Sequence, residues 1–383
     1  MDLKDFDDIR PYTDEEVGII LTQLLQNPDF LRFATKAIGA EQLAFLQTNY
    51  TRLDSIIGFQ ELIIKPFLDY VLSHFATSFD AYNVAEEAQK ESCIFISNHR
   101  DIVLDSALLD KILIDNLHQT VEIGIGDNLL IFPWLKDLVR LNKTFIVKRG
   151  EVGKELIMQS RHLSQYIHFA ITRKHQSIWI AQREGRAKDS DDRTQESVLK
   201  MLAMGKDAPF TESLKELNIH PLAISYEYDP CDYLKAKEFQ LKRDNPNYKK
   251  TQADDLLNMQ TGIMGYKGKI TYRCANLINE QIDHIAAKET NKNMQATLIA
   301  QAIDKAIYSN YQIYDINYVA LDPLNNNTQF ANHYTNEAKQ QFNNYIQQQI
   351  NKIEIPNKDH DYLQKIMLCI YANPLINHLK TKQ

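Results

Sequence analysis

The chain has 383 residues, of which 44% are hydrophobic, and it carries a formal net charge of −7. A chain of this size and composition is predicted to bury one large core and a smaller satellite core. The acidic balance argues against a nucleic-acid-binding protein, because such proteins need a basic face. Any anion-binding site must therefore be local.

The cysteines and the N-terminus bear on the compartment. The four cysteines are scattered and form no Cys-x-x-Cys pair: Cys93, Cys231, Cys274 and Cys369. This spacing indicates neither a zinc site nor a disulfide framework, and it fits a reducing cytoplasm best. Residues 1–8 are acidic and lack the apolar core of a secretory signal. We therefore expect a cytoplasmic protein.

Residues 1–85 are predicted to form a helical N-terminal region. A capping signature at residues 13–16 opens the first helix, and Asn27-Pro28 interrupts the pattern. Three or four helices are expected between residues 12 and 80. They would precede the chemical domain rather than belong to it.

Residues 55–79 form the most apolar stretch of this region, but charges interrupt it, so a simple membrane span is not expected. Glu61, Lys65 and Asp69 recur every four residues and make one polar stripe. The apolar face carries Ile56, Phe59, Ile63, Phe67, Tyr70 and Val71. This amphipathic pattern fits a helix packed on the core, or one that docks on a bilayer surface. Pro66 is expected to kink or split the helix.

From residue 92 onward, short apolar runs alternate with helical patterns, which is typical of an α/β sheet flanked by helices. Strands are expected near residues 93–96, 120–125, 144–147, 178–181 and 220–226. We assign residues 86–325 to this central mixed sheet with its helices. Residues 326–383 are rich in Gln and Asn and are predicted to form a helical C-terminal extension.

The segment 96–105 carries a histidine directly after an apolar strand. His99 is followed by two carboxylates, Asp101 and Asp105, at the start of a predicted helix. A general base and its orienting acid are usually arranged in this way. The plainer interpretation is a surface or helix-capping histidine, with Asn98 as the cap.

Two further strand ends carry arginines. Arg183 and Arg186 flank Glu184-Gly185 after one strand, and Lys148-Arg149 ends another. Guanidinium groups match the geometry of phosphate, and open α/β sheets bind ligands at the rim where strands end. A base beside a phosphate clamp indicates acyl or phosphoryl transfer. Lys148 and Arg149 would otherwise be a solvated strand end.

Four ordered blocks in this region resemble the glycerophospholipid acyltransferase superfamily, which includes the glycerol-3-phosphate and 1-acylglycerol-3-phosphate acyltransferases. The blocks are Asn98-His99 with a downstream aspartate, residues 145–149, residues 183–186 where the family usually has Phe-Pro-Glu-Gly-Thr-Arg, and residues 220–225. The resemblance covers about residues 90 to 230.

This chain departs from the family pattern at two points. The usual His-x4-Asp spacing falls on Leu104, and the carboxylates lie instead at Asp101 and Asp105. We favour Asp105, because the first turn of a helix can absorb one extra loop residue. In the third block, Gln182-Arg183 replaces the usual Phe-Pro, so the turn there must be built differently.

The resemblance implies an enzyme that moves a fatty acyl group from acyl-CoA or acyl-carrier protein to lysophosphatidate or glycerol-3-phosphate. It implies His99 as general base with Asp105, and substrate binding by Arg149, Arg183, Glu184, Gly185 and Arg186. We expect no metal or other cofactor. We do expect a peripheral contact with the inner face of the cell membrane. Two alternatives stay open: an acyltransferase for another hydroxyl acceptor, and a catalytically inactive lipid-binding module.

Overall fold

The computed structural model describes residues 2–382, and its centre is a seven-stranded mixed sheet. The strands are β1 (Ser78–Tyr82), β2 (Ile94–Ser97), β3 (Glu122–Gly126), β4 (Thr144–Val147), β5 (Ile178–Ala181), β6 (Ile219–Tyr226) and β7 (Lys269–Cys274). Their order across the sheet is β1-β7-β6-β2-β5-β3-β4. All neighbours run parallel except β6 and β7. The predicted α/β class is therefore confirmed.

Helices surround this sheet and also form both ends of the chain. They are α1 (Val17–Gln26), α2 (Pro28–Asn49), α3 (Ile56–Phe59), α4 (Lys65–Phe75), α5 (Val84–Lys90), α6 (Leu104–Leu117), α7 (Pro133–Leu141), α8 (Gly153–Thr172), α9 (Glu196–Leu202), α10 (Phe210–Lys215), α11 (Asp232–Asp244), α12 (Gln252–Met264), α13 (Asn279–Lys288), α14 (Lys292–Ser309), α15 (Asp315–Leu324), α16 (Asn336–Asn351) and α17 (His360–Lys380). The helical N- and C-terminal regions are as predicted.

The direction of the central strands decides where a site can form. β2, β5, β3 and β4 run parallel, so their carboxyl ends meet at one edge of the sheet. We call this the carboxyl edge. Chain segments that leave these strands come together there, which is where open α/β sheets bind ligands. The blocks containing His99, Arg149 and Arg183 all begin at this edge.

The sheet is buried on both faces. One apolar cluster joins it to α8, α9 and α14, with Tyr166, Leu199 and Ile303 fully buried. The other cluster joins it to α4 and α6, where Leu68 and Leu108 are buried. Because both faces are covered, the central strands are apolar throughout rather than alternating.

The N-terminal region follows the sequence signals closely, with one exception. Thr13 and Glu16 form the expected capping box before α1, and α1 ends at Gln26, just before Pro28 opens α2. The exception is β1, which lies inside the region expected to be helical and pairs in parallel with β7. β1 is an edge strand, and such strands carry a weak apolar signal. The division of the chain into domains stays a prediction.

The 55–79 segment packs most of its apolar face on the rest of the protein, although Tyr70 is 46% exposed. Phe59, Ile63 and Val71 are at most 4% exposed, and Phe67 is partly buried against the sheet cluster. The prediction that this face docks on a bilayer is therefore wrong, and the core-packed alternative is confirmed. Pro66 lies in the first turn of α4, directly after a π-helical turn (Gln60–Ile64), so the helix is divided into pieces with different hydrogen bonding at this point but continues.

No helix within residues 2–382 combines the length and the apolar character that crossing a bilayer would require.

Candidate active site

His99 and Asp105 are in direct contact. Nδ1 of His99 lies 2.8 Å from Oδ2 of Asp105, which is fully buried, while the histidine side chain is 14% exposed. The same oxygen accepts the backbone N–H groups of Arg100 at 2.6 Å and Asp101 at 3.0 Å. A carboxylate held by three donors fixes the orientation of the imidazole and leaves Nε2 as the nitrogen available for proton transfer.

Asp101 does a different task. Its Oδ1 accepts the backbone N–H groups of Val103 at 2.9 Å and Leu104 at 2.8 Å, so it satisfies donors at the start of α6. Burial, and then the nearby Asp105 carboxylate, raise the pKa of Asp101. The structure thus brings Asp105, one residue later than the usual family spacing, to the histidine and leaves Asp101 as a cap.

Asn98 fixes the loop to the neighbouring strand. Its side-chain Nδ2 donates to the carbonyl of Ile224 at 2.8 Å, and its Oδ1 accepts the N–H of Ile224 at 2.8 Å. Because both polar atoms of this side chain are bound to Ile224, and Asp101 accepts the N–H groups at the start of α6, Asn98 is not the helix cap considered from sequence. This paired contact joins the loop that contains His99 to the fourth block, on β6. The backbone of Ile224 therefore holds the loop, a role that the sequence did not indicate.

The residue after His99 forms a buried ion pair that sequence patterns did not predict. Nη1 of Arg100 is 2.7 Å from Oδ2 of Asp192, and the two side chains are 7% and 0% exposed. Burial raises the pKa of Asp192, while the charge of Arg100 opposes that shift. The ring of Tyr311, on the far side, faces the guanidinium with its centre 5.8 Å away. Arg100 therefore anchors the loop to the buried interior of the protein.

A second buried pair reaches the same loop from α11. Nζ of Lys235 donates to the carbonyl of Arg100 at 3.1 Å and also contacts the carboxylate of Asp229. Lys235 is 1% exposed. Because a buried ammonium must be fully paired, its position is closely determined. The backbone that follows His99 is thus held by two buried contacts, one to the side chain of Arg100 and one to its carbonyl.

The predicted arginines line the same edge but are less buried. Nη1 of Arg149 lies 2.5 Å from Oε1 of Glu184, which joins the ends of β4 and β5. The side chain of Arg149 passes so close to Gly126 that a Cβ there would lie 2.4 Å from its Nε. The glycine that ends β3 therefore makes room for the arginine, and sequence reasoning had not connected the two.

Arg186 lies nearer to the histidine loop than Arg149 does. Its Nη2 donates to Oδ1 of Asn258 at 3.1 Å, and its positive charge opposes the rise in the pKa of Asp101 that burial causes. Its Nη1 is buried without a hydrogen-bond partner among the described residues. Gly185 has a φ of 65°, a left-handed conformation that favours glycine and turns the chain between Glu184 and Arg186.

α12 covers this part of the site from outside. Asn258 contacts Arg186, as described, and Gly262 packs on the carboxylate of Asp101 so closely that a Cβ there would lie 1.9 Å from Oδ2. Apart from Asn258 and Gly262, no residue of α12 is fully buried. The helix touches the site itself through one amide and one glycine, and its Ile263 packs on the apolar cluster of the sheet.

The described residues hold neither a metal-binding cluster nor a disulfide. Within residues 2–382, no group of three or more histidine, cysteine or carboxylate side chains is placed to hold a metal ion. The four cysteines are all unpaired, and three of them are buried. The arrangement at the carboxyl edge can abstract a proton at His99 and bind an anion at the arginines.

Comparison with protein families agrees with this geometry. A family model described as Acyltransferase matches residues 80–224. Residues 80–224 are a glycerophospholipid acyltransferase domain. The family implies an acyl donor and a lipid acceptor. A search of curated proteins found no match. The acyltransferase domain contains His99, Asp105 and all the predicted arginines, whereas Lys235 and α12 follow its end.

Proposed function

We propose that this acyltransferase moves a fatty acyl group from a thioester donor to a hydroxyl group of a phosphoglyceride precursor, either lysophosphatidate or glycerol-3-phosphate. One observation carries the proposal: a buried-carboxylate–histidine pair and a set of arginines lie at one edge of a sheet inside an acyltransferase domain. The pair supplies a base, and the arginines supply a place for a phosphate. The product would be a phospholipid precursor.

The proposed reaction uses the free nitrogen of His99. Nε2 takes the proton of the acceptor hydroxyl while its oxygen attacks the thioester carbonyl carbon. The tetrahedral intermediate then collapses, the carbon–sulfur bond breaks, and the thiolate leaves with the proton that His99 had taken. Asp105 holds Nδ1–H throughout and stabilises the imidazolium. The enzyme itself is not acylated.

The acceptor phosphate would bind between Arg149, Arg183 and Arg186. Arg186 supports this assignment because its Nη1 is buried and has no partner in the described residues, which is costly unless a ligand completes it. Glu184 would orient Arg149, and Gly185 would let the backbone turn close to the phosphate. The spread of the arginines along the edge suits a headgroup with several oxygens.

The donor would be acyl-CoA or acyl-carrier protein, used as a co-substrate, and the mechanism requires no metal or redox cofactor. A lipid acceptor has to be reached at a bilayer, so the protein would work as a peripheral protein on the inner, cytoplasmic face of the cell membrane. Its place would be in phospholipid biosynthesis.

The proposal is tested by thiol release from acyl-CoA, with glycerol-3-phosphate, lysophosphatidate and an uncharged alcohol of similar size as acceptors. We expect release that depends on the acceptor and is much faster with the two phosphates. Mass spectrometry of the lipid product would identify the ester formed. Equal rates with the uncharged alcohol would contradict the phosphate assignment, and no release with any acceptor would contradict the enzymatic function.

A further inference from the structure

Two exposed apolar segments flank the candidate site. The first is the start of α8, where Val152, Leu156, Ile157 and Met158 are 80%, 48%, 57% and 57% exposed. The second is the outer face of α12, where Leu256, Leu257 and Met264 are 40%, 44% and 44% exposed. We call these seven side chains the apolar rim. Exposed groups of this kind mark an interaction surface more often than isolated apolar residues do.

Both segments of the apolar rim lie at the carboxyl edge of the sheet. α8 begins six residues after β4 ends at that edge, and Arg149 lies between them. α12 reaches the same edge because Asn258 contacts Arg186 and Gly262 packs on Asp101. The arginines and His99 are therefore bordered by exposed apolar side chains on two sides.

The inner and outer sides of α12 differ in a way that packing alone does not explain. The inner side touches the site through Asn258 and Gly262, and Ile263 packs, partly buried, on the apolar cluster of the sheet. Leu256, Leu257 and Met264 remain exposed on the other side. Three exposed apolar side chains on a helix that already packs through its inner side favour a partner on the outer side.

We propose that the apolar rim docks on a lipid bilayer and thereby brings the site to the surface where the acceptor lies. The inference rests on the proposed function, since a lipid acceptor presents its headgroup at the bilayer surface and its chain within it. Apolar side chains inserted to headgroup depth would place the arginines opposite the headgroups. Lys154 and Arg161 are exposed on α8 and Glu151 is exposed just before it, so charges of both signs border the rim and the docking depends on apolar contact.

A bilayer suits the rim better than a protein partner does. An acidic carrier protein would be recognised by a basic face, whereas the rim residues are all apolar. Docking through apolar contact should also survive raised salt, because screening weakens only the charge interactions. Binding that disappears in high salt would instead indicate a purely electrostatic contact and would overturn the proposal.

The test is co-sedimentation of the full chain with vesicles of phosphatidylcholine and phosphatidylglycerol. We expect the wild-type protein to sediment. The double variants Leu256→Ser, Leu257→Ser and Ile157→Ser, Met158→Ser should each lose roughly tenfold in vesicle affinity, since each replaces two insertable side chains. All four residues are exposed, so the variants should fold, which circular dichroism would verify.

Two controls locate the surface. Met294→Ser alters a side chain that is 47% exposed but lies at the start of α14, about 20 Å along the helix from Tyr308 and the buried pair near the site. Phe45→Ser, Leu62→Ser alters two exposed side chains on the N-terminal helices. Both control proteins should bind vesicles like wild type. Loss of binding in the second control with normal binding in both rim variants would place docking on the N-terminal helices instead.

Vesicle binding needs no turnover, so the inference and the proposed function can fail separately. His99→Ala should bind vesicles as the wild-type protein does. A protein that binds through the rim but never releases thiol would refute the proposed reaction alone. A wild-type protein that does not sediment, or rim variants that sediment normally, would refute the docking surface alone.

Discussion

The two halves of the candidate site are built in opposite ways. The base half, His99 with Asp105, is held by buried groups, among them Asn98 and Lys235. The arginine half is more open: Arg149 and Glu184 form a pair in which the side chains are 33% and 70% exposed, and Arg186 is only partly buried. The difference matches the two tasks, because a base must keep one tautomer, whereas an anion clamp must open and close on its substrate.

The comparison predicts that changes in the base half lower kcat, while changes in the arginine half act mainly on acceptor affinity. A buried group cannot move to compensate for a lost partner. An exposed arginine can be replaced in part by water, by a neighbour or by lysine.

Asp105→Asn should lower kcat by about two orders of magnitude or more, because the amide no longer holds the imidazole in one tautomer or stabilises its charged form. The acceptor KM should change little. Steady-state kinetics with saturating donor would measure both constants. A change in KM without a change in kcat would show that Asp105 serves binding and not the base.

Lys235→Met should lower the free energy of unfolding by about 3–5 kcal/mol, because Asp229 and the carbonyl of Arg100 lose their buried partner. Urea denaturation followed by circular dichroism would measure the loss. Adding Asp229→Asn should recover part of it, since the uncompensated charge is removed. If the double variant is less stable than Lys235→Met, the two residues are not a coupled pair.

Arg186→Lys should lower kcat/KM for a phosphate acceptor by roughly tenfold, because a point charge cannot replace a bidentate fork. The donor KM should barely change. Arg149→Lys should have a smaller effect, since Arg149 is the more exposed of the two. Equal losses for donor and acceptor would assign these arginines to the phosphates of the donor, or to bracing the fold.

Asp101→Asn should have the smallest effect. Asparagine caps a helix about as well as aspartate, so the free energy of unfolding should change by less than about 1 kcal/mol. Burial and the nearby Asp105 raise the pKa of the Asp101 carboxyl group, which means that its charged form is disfavoured in the folded protein. Replacing it with a neutral amide should therefore cost little. A rate loss larger than that of Asp105→Asn would reverse the assignment of the two carboxylates.

Much of the site could be predicted from sequence, because each block is local. A strand followed at once by His99, or by Arg183 to Arg186, places its side chains at a sheet edge wherever the strand lies. The choice of Asp105 also needed only local reasoning, since it depends on the first turn of one helix. The structure brings His99 and Asp105 together accordingly.

The missed features depend on contacts between distant parts of the chain. Asp192 and Lys235 support the loop from segments far away in the chain, and only the fold shows what they contact. The environment of the 55–79 helix could not be predicted for a related reason. An amphipathic pattern reports that one face is covered, but the pattern is the same for a core and for a bilayer. Burial of Phe59 settled that choice.

The most direct test of the account is acceptor-dependent thiol release by His99→Ala beside the wild-type protein. His99 is 14% exposed and lies at a strand end, so the variant should keep its fold, which its melting temperature would verify. The account predicts a rate lower by about two to four orders of magnitude, the range for removing a general base. A folded His99→Ala protein that keeps most of the wild-type rate would contradict it.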